Sequence, residues 1–163
     1  MPPMSTLGWF HTALGIIALV SGVITLYRHK EITSQHASGQ IYLLATLVTA
    51  ATALAIYQQG SFGPGHVLAV LTLGALAVGT VAGNTDVFGS ASRYLRAISY
   101  SATLLFHSIP AVTDGLLRLP VGDPVLKSIE DPVLLMCYAV LLVLYLAGVT
   151  WQVRWIRRQR PPG

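Results

Sequence analysis

Residues 104–120 read LLFHSIPAVTDGLLRLP, and the fold turns on whether this stretch crosses a membrane. Its leucine content suits the middle of a span, yet it carries His107, Pro110, Asp114 and Arg118. A charged side chain at the centre of a spanning helix costs about 2.5–3.5 kcal/mol on insertion scales, so such groups face the bundle interior and often mark function. Periodicity decides the matter here. Arg96, Tyr100, Thr103, His107, Asp114 and Arg118 recur at steps of four, three, four, seven and four, which draws one stripe along a helix. Ile98, Leu105, Ile109, Val112 and Leu116 occupy the other side and suit lipid. Residues 97–119 are therefore read as a spanning helix with one polar face.

Composition agrees. The chain has 163 residues, 53% hydrophobic and only 10% charged, with a mean hydropathy of +0.64. A soluble domain is about a quarter charged. Five segments approach the roughly 20 apolar residues that a span requires: about residues 7–27, 37–57, 66–82, 97–119 and 133–153. The third is the shortest and the fourth the most polar. Short connectors with turn residues join them, so residues 1–163 read as a single membrane domain. The expected class is an all-α integral membrane protein, a bundle of five transmembrane helices.

Basic residues orient the bundle. Arg28, Lys30, Arg93, Arg96, Arg154, Arg157, Arg158 and Arg160 fall on one side, and only Arg118 and Lys127 on the other. The N-terminus is expected outside and the C-terminus in the cytoplasm of a bacterial inner membrane. Trp151 and Trp155 beside the arginine tail, and Trp9 at the far end of helix 1, fit interfacial anchors. The lysines and arginines lie between apolar runs rather than along one helix face, which argues against a nucleic-acid partner. The start MPPMSTLGWF lacks the basic residue of a secretory signal, so the first segment is expected to be a retained helix. Cys137 is a lone cysteine, which forbids an internal disulfide, and no CxxCH motif for covalent haem is present. Its apolar surroundings read as packing.

With this orientation the histidines form a pattern. His11 lies near the outer end of helix 1 and His66 opens helix 3 at a similar level. His107 lies near mid-membrane on helix 4, with Asp114 about 10 Å further out at 1.5 Å per residue. His11 shares a face with Gly15, Ala18 and Gly22, small residues that permit close helix contact. The stripe through His66 reads Leu73 and Ala77, and Gly79 and Gly83 form a small-xxx-small contact. His29 and His36 fall on the cytoplasmic side, the first as a solvated loop residue and the second as a cap of helix 2 or an interfacial group.

HASGQIYLLATLVTAATALAIYQQGSFGPGHVLAVLTL, residues 36–73, together with HSIPAVTDGLLRLP, resembles an uncharacterised family of small bacterial multi-pass membrane proteins. The resemblance rests on His36, Gly39 and Tyr42 at the start of helix 2, on Gly60, Phe62 and His66 leading into helix 3, and on a polar fourth helix ending in Arg118. It covers helices 1 to 4. Ala37 and Ser38 stand where a basic pair is usual, and Asp114 where glutamate is usual. The resemblance implies fold and topology, and no activity.

Two chemical classes follow from the residues. One is a cofactor site: His11, His66, His107 and Asp114 as ligands of zinc or iron, with imidazole and carboxylate as donors. Zinc with an open position would supply hydroxide for hydrolysis. His107 and Asp114 are two turns apart, so one ion could take both only if Pro110 kinks the helix. A b-type haem needs two histidines on facing helices, with His11, His66 and His107 as candidates, and would serve electron transfer. The other class is a non-catalytic membrane subunit or scaffold. In it the stripe of Tyr100, Thr103 and Arg118 serves helix packing or proton relay, and Asp114 and Arg118 form a favourable i,i+4 pair. The partners expected are the lipid bilayer and either a larger membrane complex or further copies of the chain.

Overall fold

The structure is a computed structural model that describes residues 5–56 and 62–159. Tyr57 at the expected end of helix 2, Gly60 of the second connector and Arg160 of the tail lie outside the described residues. Among the described residues five α-helices follow one another: α1 (Thr6–His29), α2 (Ala37–Ala53), α3 (Pro64–Asn84), α4 (Ser92–Arg118) and α5 (Pro132–Arg158). A single 3-10 turn, Gly89–Ala91, precedes α4. No strand occurs among the described residues. α1, α3 and α5 are each long and apolar enough to cross a membrane.

Local chemistry sets the boundaries. Ser5 caps α1 by accepting the Gly8 N–H at 3.1 Å, and Lys30 ends it in a left-handed conformation with φ 67°. Pro64 opens α3 and Pro132 opens α5, where a missing N–H costs nothing. Asp131 accepts the Val133 N–H at 2.9 Å. α2 stops at Ala53, short of the expected residue 57, and a turn follows at residues 54 and 55. α4 starts at Ser92 rather than 97, because Arg93 and Arg96 have a carboxylate to meet in the first connector. α5 continues to Arg158, past the expected 153, and carries Trp155 and Ile156 onto the same helix.

The helices alternate in direction. α1 packs on α2, α2 on α3, α3 on α4, and α4 touches α1, closing a four-helix ring. α5 lies outside that ring against α4. Cross-helix bonds mark two ends. Glu31, Arg93, Arg96 and Gln159 meet at a basic end, whereas His11 meets Thr52 towards the opposite end.

The core of the ring is Ala18, Ile32, Tyr42, Ala45, Leu76 and Tyr100. Small residues let the helices close on these rings. A Cβ at Gly22 would lie 2.7 Å from Tyr42 Cε2, and one at Gly79 would collide with the Tyr100 ring. A Cβ at Gly39 would strike the Thr33 carbonyl, where the first connector folds back on α2. Ala18 and Gly22 of the small-residue face of α1 are buried, and Gly15 approaches Thr49.

Two faces differ from expectation. The buried stripe of α3 is His66, Ala69, Thr72, Leu76 and Gly79. Ala77 is exposed, because α2 and α4 together cover a face offset from the one drawn through Leu73 and Ala77. On α4, Val112 and Leu116 were expected against lipid. They pack instead on a second cluster of Leu117, Leu126 and Leu134. The physical reason is that α5 and its preceding loop cover this side, pinned by Leu126 N–H on the Leu116 carbonyl at 2.9 Å. The lipid-like surface passes to α5, where Leu135, Met136, Val140 and Val143 are all exposed.

Candidate functional site

The ring has a polar interior. Tyr42 is fully buried, and its hydroxyl meets Thr103 Oγ1 while donating to the Tyr100 carbonyl at 3.3 Å. The Tyr100 hydroxyl in turn meets Thr80 Oγ1 at 3.2 Å. Both α2 and α4 run away from the basic end, and Tyr42 lies level with Thr103. One turn further along each helix, Thr46 therefore lies level with His107, and Thr49 follows one turn beyond Thr46. From α1, His11 Nδ1 bonds Thr52 Oγ1 at 3.1 Å.

His107 is 8% exposed. Its Nε2 and Thr49 Oγ1 are buried atoms with no hydrogen-bond partner among the described residues, and the buried Thr46 hydroxyl lies beside that of Tyr42. His11 is in electrostatic reach of both His107 and Asp114. The ring interior thus carries two imidazoles at different depths, His107 level with Thr46 and His11 beside Thr52, about 9 Å further along the axis, with threonine hydroxyls of α2 between them. Buried polar atoms are nearly always satisfied, and an unsatisfied cluster calls for a water or an ion to complete it. Threonine hydroxyls and imidazoles both donate and accept. Groups of this kind can take up a proton on one side and hand one on from the other.

The other expected residues have different surroundings. His66 is buried at the start of α3, where its Nδ1 accepts the Gly63 N–H at 3.1 Å and Phe62 stacks on its ring, the centroids 5.0 Å apart. Asp114 has an exposed side chain and takes a long 3.4 Å contact from Arg118 Nε, four residues on. Among the described residues, no group of three or more His, Cys, Asp or Glu side chains is gathered closely enough to hold a metal ion.

Other polar clusters went unforeseen. Glu31, 8% exposed, takes Arg93 Nη2 at 2.7 Å and Nε at 3.2 Å, and Arg96 Nη2 at 3.2 Å. Arg93 also donates to Gln159 and lies over the Trp155 ring. This network ties the first connector to α4 and α5. Gln152, buried on α5, donates to the Lys30 carbonyl at 2.9 Å and accepts from Ser101 Oγ at 2.8 Å. His29 and His36 stack with centroids 3.6 Å apart and planes 9° from parallel. His29 is solvent-accessible, as expected, but closes the last turn of α1 rather than lying in the loop. His36 sits at the N-cap of α2 without a side-chain cap bond. The one available signal was that Glu31 is the sole acid among the bases of the first connector.

No family model, curated protein or solved structure matches the chain.

Proposed function

We propose that this chain is a five-span bacterial inner-membrane protein, N-terminus outside and C-terminus cytoplasmic, whose core relays protons along a path that includes His107 and His11. The orientation rests on the basic asymmetry of the connectors and tail. The observation that carries the relay is the pair of buried atoms without a partner among the described residues, His107 Nε2 and the Thr49 hydroxyl, lying between the depth of Tyr42 and that of His11. On one side of it lie His11, Thr52 and Asp114. On the other lie the Tyr42–Thr103 and Tyr100–Thr80 pairs, leading towards Glu31 and its arginines. A water-filled chain of such groups passes a proton by each member accepting on one side and donating on the other, with no net change in any of them. Ionisable groups facing the interior of a membrane bundle are the usual parts of such relays.

The test is proton flux into liposomes that carry the purified protein and an entrapped pH dye, driven by a valinomycin-clamped potassium gradient. Flux above protein-free liposomes is expected, falling towards that baseline in His107→Phe and His11→Phe. Flux equal to the baseline in the wild type refutes the relay.

The same unpartnered Nε2 supports a second reading, in which His11 and His107 bind zinc, iron or the iron of a b-type haem. That reading predicts a stoichiometric metal or a Soret band in the detergent-purified protein, lost in both His11→Ala and His107→Ala. Protein with neither signal refutes it.

A further inference from the structure

A cleft of about 320 Å³ opens between α1, α4 and α5. Leu104, Leu105, Leu141 and Leu144 wall it, and Gly148 forms part of its surface. Lys30, Trp151 and Gln152 line it at the basic end of the bundle. The cleft is separate from His11 and His107, which lie inside the four-helix ring.

Lys30 is held in place there by several contacts. Its left-handed backbone ends α1, its Nζ donates to the Tyr27 carbonyl at 2.7 Å, and the ammonium lies 5.5 Å from the Tyr27 ring centre and 5.6 Å from that of Trp151. An ammonium has three donors, so two remain. Lys30 forms no ion pair among the described residues. The carboxylate next to it in sequence, Glu31, is engaged by Arg93 and Arg96. Arg28, Arg154, Arg157 and Arg158 add positive charge at the same end of the bundle. An apolar cleft that ends at a fixed, uncompensated cation, between interfacial aromatic rings, is complementary to an acyl chain joined to an anionic headgroup.

We propose that the cleft between α1, α4 and α5 is a binding site for one anionic phospholipid, with an acyl chain along Leu104, Leu105, Leu141 and Leu144 and the phosphate on the Lys30 ammonium. The proposal rests on the membrane reading above and is independent of the proton relay. Because bulk lipid tails are as apolar as leucine, the cleft by itself confers little preference. Selectivity comes from the charge on Lys30.

Native mass spectrometry of the delipidated protein, offered equal amounts of phosphatidylglycerol and phosphatidylcholine, tests it with two variants. Lys30→Asn removes the charge while asparagine tolerates the left-handed backbone. Gly148→Leu fills the cleft, and a Cβ there meets nothing within 4 Å. The wild type is expected to retain one phosphatidylglycerol in preference to phosphatidylcholine. Lys30→Asn should lower that preference about fivefold, and Gly148→Leu should lower retention of both lipids. Equal retention of the two lipids by the wild type, or a preference unchanged by Lys30→Asn, overturns the site. If Gly148→Leu fails to fold, the lysine variant still decides. Extraction of the wild-type chain from membranes by alkaline carbonate would instead overturn the membrane reading, an outcome distinct from a membrane-bound chain that shows no lipid preference.

Discussion

Gly22→Ala adds one methyl group where α1 rests on the Tyr42 ring. The new Cβ would lie 2.7 Å from Tyr42 Cε2, 2.8 Å from Cδ2 and 3.0 Å from Leu104 Cδ1. Carbon atoms pack at about 3.5–4.0 Å, so the ring or the helix must move by most of an ångström. The ring has little freedom. It is fully buried, and its hydroxyl is tied to Thr103 and the Tyr100 carbonyl on α4. Overpacking of this kind costs about 1–3 kcal/mol, and a lost hydrogen bond adds about 0.5–1.5 kcal/mol. Alanine's better helix propensity offsets at most about 1 kcal/mol. A net loss of about 1–3 kcal/mol is expected. Gly74→Ala is the control, because a Cβ there meets nothing within 4 Å and only the propensity gain applies. Reversible unfolding in mixed micelles, followed by circular dichroism, compares the two. A double-mutant cycle with Tyr42→Ala locates the effect: on that background most of the Gly22→Ala cost should vanish. Equal stability of the Gly22→Ala and Gly74→Ala variants, or an undiminished cost beside Tyr42→Ala, would refute the close-approach argument.

Three further outcomes follow from the same contacts. Glu31→Gln should lower stability by about 1–3 kcal/mol, less than a fully buried pair because Arg93 and Arg96 keep some exposure; thermal unfolding in detergent measures it, and the loss should shrink in high salt. Gln152→Leu strands the Lys30 carbonyl and the Ser101 hydroxyl, so it should cost about 1–3 kcal/mol and speed hydrogen exchange near Lys30, whereas unchanged exchange there would mean that Gln152 does not anchor α5. Lys127→Ala should leave stability unchanged within about 0.5 kcal/mol, since its pair with Asp123 is 3.8 Å long with both side chains more than four-fifths exposed; a larger loss in the same melt would show that the loop before α5 is held electrostatically.

Much of the architecture is carried by local pattern. Five helices, their short connectors and three long apolar segments follow from runs of apolar residues and the prolines and glycines between them. These signals reside in neighbouring residues, because helix periodicity and capping act within a few positions. The polar character of α4 was equally legible, and Tyr100, Thr103 and His107 are buried on that helix. Helix ends were less legible where a distant partner decides them. The early start of α4 depends on Glu31, 62 residues from Arg93.

What tertiary structure alone decided is which faces meet. Every helix here has apolar residues on more than one side, so hydrophobicity cannot say which side faces another helix and which faces lipid. The placement of α5 over Val112 and Leu116 had no local signature, nor did the offset buried stripe of α3. The candidate site divides along the same line. Sequence selected His11, His66, His107 and Asp114 by level along the bundle. Rotation about each helix axis brought His11 within electrostatic reach of His107 and Asp114 and set the Thr46 and Thr49 hydroxyls in that region, while the local Gly63–Pro64 turn gave His66 its capping bond. Depth follows from counting residues along a helix; azimuth depends on which neighbour offers the better fit, and that is a property of all the helices together.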